Sequence, residues 1–154
     1  MAGSIEKRLS ELGITLPTPA LPAANYVPTV VTGKLLFISG QLPMGPDGIA
    51  FRGRLGDTLS LEDGQAAARL CAINLVAQAK AALGDLDRIR RVVKLGGWVA
   101  STAEFHDQAQ VVNGASNLMV EVFGDVGRHA RFAVSAPSLP FGVPVEVDAT
   151  LEFD

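Results

Sequence analysis

The chain has 154 residues, 16.1 kDa and one cysteine, which fits a single domain with its own core and excludes an intramolecular disulfide. An apolar fraction of 48% with 19% charged residues is that of a folded chain and excludes a disordered one. A formal net charge of −3 weighs against nucleic acid as the main partner, because phosphate binding needs clustered Lys and Arg.

Ile5, Leu9 and Leu12 stand at helical spacing, so residues 4–12 read as a short amphipathic helix. The stretch "LPTPALPAAN" (16–25) holds three prolines, each fixing φ and lacking an amide donor, and reads as an extended connector. The first 24 residues are thus expected to precede a domain spanning 25–154. "YVPTVV" (26–31) and "KLLFIS" (34–39), with Thr32 and Gly33 between them, predict a hairpin. From Gln41 to Leu59 repeated Gly and Pro predict a loop, and a loop of this length in a compact domain is often functional or tied to a partner.

Ser60 with Asp63 resembles a capped helix start, and an Ala-, Leu- and Gln-rich helix is expected from Leu61 to Leu83, stopped by Gly84. Cys71 falls in its apolar stripe and reads as a buried thiol. "RRVVKLGGWVA" (90–100) predicts a strand in which Gly96-Gly97 marks a bulge or a close backbone approach. Ser101 and Glu104 fit a capping box, so a second helix is expected from there to about Val122. "RFAVSA" (131–136) and "VPVEVDATLEF" (143–153) are the last strands. The order β-β-α-β-α-β-β predicts an α+β or α/β layer protein with helices on one sheet face. In the last strand Glu146, Asp148, Thr150 and Glu152 share one side, which must face water, a site or another subunit.

"MAGSIEKRLSEL" is charged and lacks the apolar core of a signal peptide, and the clean apolar runs are short of a membrane span. A reducing cytoplasm is the expected location. "DRIRRVVK" (87–94) reads as a solvated edge. His106 and His129 have no metal-ligand spacing and read as surface residues. Two charges remain inside apolar strand-like runs, Arg131 and Glu146. They fit an ion pair between adjacent strands, or a site where an arginine fork takes a carboxylate and a glutamate orients water.

The residues also carry a resemblance. Tyr26, "FISGQLP" (37–43), "VVKLGGWVASTAEF" (92–105), Asn113 and the run from Arg131 through Leu139-Pro140 to Glu146 are similar to the reactive intermediate deaminase family. That family is also called RidA-like or YjgF-like, and long labelled endoribonuclease L-PSP; "RLSELGITLP" resembles a longer, less characterised branch of it. The resemblance implies a chorismate-mutase-like two-layer sandwich, with a mixed sheet and two main helices on one face. It implies a homotrimer with sites in the clefts between subunits, and no cofactor. It implies hydrolysis of 2-imino acids, or enamines such as 2-aminoacrylate, to 2-oxo acids and ammonia.

Position by position, Arg131 is expected to anchor the substrate carboxylate and Glu146 to position or activate water. Tyr26 is expected to wall the cleft, and Gly40 to mark close backbone approach. Asn113 resembles the family's helix asparagine near the subunit interface. Trp98 reads as a core or interface aromatic. Ala133 departs from the family, whose much-studied members carry Cys, Ser or Thr there. That keeps a second expectation open: a protein that binds a small carboxylate such as a 2-oxo acid, and regulates without turnover.

Overall fold

A computed structural model describes residues 3–19, 22 and 24–154. Residues 20, 21 and 23, part of the connector expected over 16–25, lie outside the described residues, as do 1 and 2. The elements in chain order are α1 (Ser4–Glu11), β1 (Thr29–Thr32), β2 (Leu35–Gln41), β3 (Met44–Gly45), β4 (Gly48–Ile49), α2 (Leu61–Leu83), β5 (Ile89–Ala100), α3 (Gln108–Phe123), β6 (Ala130–Ala136) and β7 (Val145–Phe153).

β1 and β2 form the expected hairpin, closed between Thr32 and Leu35 by a turn whose Gly33 takes φ 58°. The main sheet runs β1-β2-β7-β5-β6, and every pairing is antiparallel except β5 with β6. A parallel pair needs a crossover, and α3 supplies it. β7, last in sequence, is therefore the central strand. It separates β2 from β5, the two strands that α2 connects.

α2 and α3 cover one face. α2 begins as its sequence predicts: Asp63 N–H donates to Ser60 Oγ, and Ser60 N–H donates to the Asp63 carboxylate. Its buried stripe includes Ala68, Cys71, Leu75, Ala79 and Leu83. At 23 residues, with a most apolar window of mean hydropathy 1.2, α2 is long and apolar enough to cross a bilayer. Here it lies against the sheet, where Cys71 Sγ donates to the Val145 carbonyl at 3.5 Å.

α3 starts later than expected. Ser101 caps nothing: its backbone bridges to Leu55 and its Oγ lies 2.6 Å from Ser135 Oγ. The helix begins at Gln108, with Asp107 at the N-cap position. Sheet hydrogen bonding outcompetes a local cap at a residue that the strand already holds.

The glycine pair in β5 marks close approach, because the register is continuous from Lys94 through Val99. A Cβ on Gly96 would lie 2.4 Å from Asp148 Oδ1, and one on Gly97 2.6 Å from Val112 of α3. The expected 41–59 loop holds a small hairpin, β3 with β4, tethered by Asn74 Nδ2 donating to the carbonyls of Leu42 and Met44. α1 joins the body through Leu9, buried in the same core cluster as α2, α3 and the sheet.

Candidate functional site

β7 alternates as its sequence predicts. Val145, Val147, Ala149, Leu151 and Phe153 are buried, while Glu146, Asp148, Thr150 and Glu152 are half-buried or exposed on the other face. That open face is less polar than β7 alone suggests, because neighbouring strands contribute Phe37, Trp98, Phe132 and Val134 in register with it. Trp98 is outside the core, 41% exposed, and packs edge-on against Phe132 at 5.6 Å between ring centroids.

Glu146 stands on this open face, opposite Trp98 in register. Burial lifts its carboxyl above the usual glutamate range, and the charge of Asp148 on the same side lifts it further. β2 bulges between Ile38 and Gln41, and Gly40 within the bulge abuts the carboxylate. A Cβ on Gly40 would lie 2.7 Å from Glu146 Oε2, so any larger residue displaces the acid. Gly40 also lines a groove of about 490 Å³ with Tyr26, Pro28, Leu42, Met44, Ile49, Gln78 and Phe141. Tyr26, 57% exposed, forms part of its wall.

Phe141 was not signalled by the sequence as a site residue. It is 69% exposed and is the one non-glycine with positive φ (59°) among the described residues. Its carbonyl accepts a hydrogen bond from Arg52 Nη1 at 2.6 Å. A bulky side chain in left-handed backbone at the lip of a groove stores strain that surrounding contacts must hold.

Arg131 is elsewhere. It pairs in register with Leu95, which is buried beneath the helices, so its side chain is on the helix-covered face of edge strand β6. Its Nη1 donates to Ser116 Oγ at 3.1 Å and its Nη2 to the Ala109 carbonyl at 3.1 Å. A guanidinium has five N–H donors, so three remain for a ligand. The surrounding pocket, about 280 Å³, is lined by Asn113, Ser116, Asn117, Val120, Arg128, His129 and Arg131. Ala133, two residues on from Arg131, is half-buried and packs against the core, offering no polar side-chain atom beside the arginine.

The ion pair between adjacent strands is not formed. β5 lies between β6 and β7, and no bridge between Arg131 and Glu146 is found among the described residues. The chain thus separates two groups of residues: Gly40 abuts Glu146 and lines a groove with Tyr26, while Arg131 and Asn113 line another pocket.

His129 corrects the expectation of a free surface residue. It is half-buried, with Nδ1 2.6 Å from the Gly127 carbonyl and Nε2 2.9 Å from Ser116 Oγ. Strand alternation carries the signal, since His129 is two residues before Arg131 and shares its face. Ser116 is visible the same way, because Ala109, Asn113, Ser116 and Val120 form one helical stripe beside the buried one. His106 is exposed as expected, near the Ala103 carbonyl. Among the described residues no group of three His, Cys, Asp or Glu side chains is placed to hold a metal ion.

A family model described as "YjgF/chorismate mutase-like, putative endoribonuclease" matches residues 6–148. The chain belongs to this RidA/YjgF family. Protein TCP17 of Trypanosoma cruzi is 52% identical over 154 residues, covering 99% of this chain and 96% of its own. The crystal structure of Atu1372 from Agrobacterium tumefaciens, of unknown function, is 55% identical. It superposes with a TM-score of 0.92 over 97% of this chain and 92% of that one. A "putative endoribonuclease" from Shewanella oneidensis is 33% identical, with a TM-score of 0.95 over 98% of this chain and all of that one (100%). The α+β fold with a mixed sheet is thus that of the RidA/YjgF family.

Proposed function

We propose that this RidA/YjgF chain is a hydrolytic deaminase of 2-imino acids and their enamine tautomers, working as a homotrimer without a cofactor. Each site combines Arg131 of one subunit with Tyr26, Gly40 and Glu146 of the next. The observation that carries this reading is the separation itself. A 2-imino acid has its carboxylate and its electrophilic carbon one bond apart, so anchor and water-directing base must converge within a few ångströms. On one chain the sheet stands between them. A neighbouring copy supplies the missing half to each.

In this reading Arg131 takes the substrate carboxylate with its free N–H groups, in a fork that matches carboxylate geometry. The protonated imine carbon is already electrophilic. Glu146 accepts a proton from water as the oxygen bonds to that carbon, giving a tetrahedral carbinolamine. Proton transfer to nitrogen then lets the C–N bond break: iminium acid plus water yields 2-oxo acid plus ammonium. A carboxyl raised towards neutrality suits a group that takes and returns a proton. Its negative charge also stabilises the cationic imine. Holding both reactants in near-attack geometry supplies much of the barrier reduction.

Ala133 favours a second reading, in which the same cleft binds a 2-oxo acid and regulates without turnover. The two separate on one assay. Imino acids generated in situ by an amino acid oxidase are presented to the protein, and release of ammonia or 2-oxo acid is followed. The deaminase reading expects acceleration that Arg131→Ala abolishes with the assembly intact. No acceleration across the panel, with 2-oxo acid still bound, moves the function to the binding reading.

A further inference from the structure

Arg131 does not hold its own place. Its Nη1 rests on Ser116 Oγ, and that hydroxyl also meets His129 Nε2 at 2.9 Å. The direction of each bond follows from the far end. His129 Nδ1 lies 2.6 Å from the Gly127 carbonyl oxygen, which can only accept. Nδ1 therefore carries a proton, and in the neutral ring that leaves Nε2 as a bare acceptor. In that state the Ser116 hydroxyl donates to Nε2, which turns its lone pairs away from the histidine and towards the Arg131 guanidinium.

The carbonyl that starts this chain is itself fixed. Gly127 is buried, and a Cβ there would lie 2.2 Å from the Met119 carbonyl of α3. The backbone is thus pressed against the same helix that carries Ser116. We infer that Gly127, His129 and Ser116 form a positioning relay that sets the plane of the Arg131 guanidinium, with His129 and Ser116 as positioning residues for the carboxylate anchor. This deepens the proposed function and rests on Arg131 being that anchor.

The alternative for such a pair is nucleophilic, a serine activated by a histidine. The arginine argues against it. Ser116 Oγ already accepts from a cation, which draws electron density from the oxygen that would attack. A bidentate carboxylate contact, by contrast, depends on a guanidinium held in one orientation.

The test uses Ser116→Ala, His129→Ala and His129→Gln in the full chain. The glutamine amide oxygen can accept from the serine hydroxyl as Nε2 does. For imino acid hydrolysis the relay expects KM to rise about tenfold in both alanine variants, with kcat within about twofold, and His129→Gln to recover most of the loss. Binding of pyruvate, measured by calorimetry, should weaken in parallel. A collapse of kcat at unchanged KM in Ser116→Ala would place the serine at the reacting atoms and overturn the relay, as would unchanged KM in both alanine variants.

A readout without ligand separates this from failure of the deaminase reading. Nitrogen-15 NMR of His129 should show the Nδ1–H tautomer, and Ser116→Ala should speed rotation of the Arg131 guanidinium. An Nε2–H tautomer, or unchanged Arg131 dynamics, sinks the relay whatever the activity. Loss of all turnover and pyruvate binding in the wild type, with the tautomer as stated, sinks the deaminase and binding readings and leaves the relay as the support of an arginine with another ligand.

Discussion

Gly40 and Glu146 make one unit, because the bulge in β2 brings bare backbone against a carboxylate that alternation in β7 points outward. Gly40→Ala should leave the fold intact and lower imine turnover about a hundredfold, since a displacement of about 1 Å at a reacting group has that effect. Turnover within twofold of wild type would show that Glu146 needs no such fit. The raised carboxyl also predicts a pH profile. If ionised Glu146 accepts the proton, activity falls as pH drops through its folded value, so the acid limb of kcat/KM lies above the ordinary glutamate range of about 4.3. Burial is the larger cause and Asp148 the smaller, so Asp148→Asn should move that limb down but not fully back to the ordinary range. An acid limb unmoved by this variant would contradict the assignment of Glu146 as the base.

Among the elements, α1 shows how a terminal helix is held without a local cap. Gly3 at its N-cap position makes no side-chain cap bond, and Asp87, which follows α2, caps it from a distance. The Asp87 carboxylate accepts from the backbone N–H groups of Ser4 and Ile5, both at 2.9 Å, and these bonds hold its carboxyl below the ordinary aspartate range. A lowered folded pKa stabilises fully above the unfolded value of about 3.9, and that contribution is lost as pH falls through the folded value. Protection factors over Ser4–Glu11, taken relative to intrinsic exchange at the same pH, should therefore fall at acid pH in the wild type, and at neutral pH in Asp87→Ala. Protection unchanged by Asp87→Ala would mean that Leu9 and the contacts of Glu6 and Arg8 alone hold α1.

The elements divide by what their sequence can reveal. α2 was legible because its cap, its stripe and its stop are all local. So was the two-faced character of β7, which needs only a period of two. The start of α3 was not, because Ser101 and Glu104 satisfy a local pattern that the sheet overrides from Leu55 and Ser135. The β3–β4 hairpin was hidden by strands of two residues, too short for any period to show. Arg131 and Glu146 were each legible as charges in apolar strands. Their placement on opposite faces was not, since it depends on how β6 and β7 register on β5, Arg131 opposite buried Leu95 and Glu146 opposite exposed Trp98.

For the whole molecule, the open face of the sheet presents Phe37, Trp98, Phe132 and Val134 around the half-buried Glu146, an apolar face of the kind that marks an interaction surface. In the proposed homotrimer a second copy of the chain covers this face and brings Arg131 of one subunit to Glu146 of the next, a cyclic contact that repeats until the ring closes. Trp98→Glu, placing a charge in this face, should convert the proposed trimer to monomer in sedimentation and abolish turnover while the fold persists by circular dichroism. A monomeric wild type would remove this part of the account.

The most direct measurement is a mixing experiment. Arg131→Ala and Glu146→Gln chains, each inactive alone, are unfolded together in equal amounts and refolded into mixed trimers. If every site draws Arg131 from one subunit and Glu146 from its neighbour, random mixing gives a complete pair in about one quarter of the sites, and about one quarter of wild-type imine turnover returns. Mixed trimers as inactive as either parent would contradict a site shared between subunits.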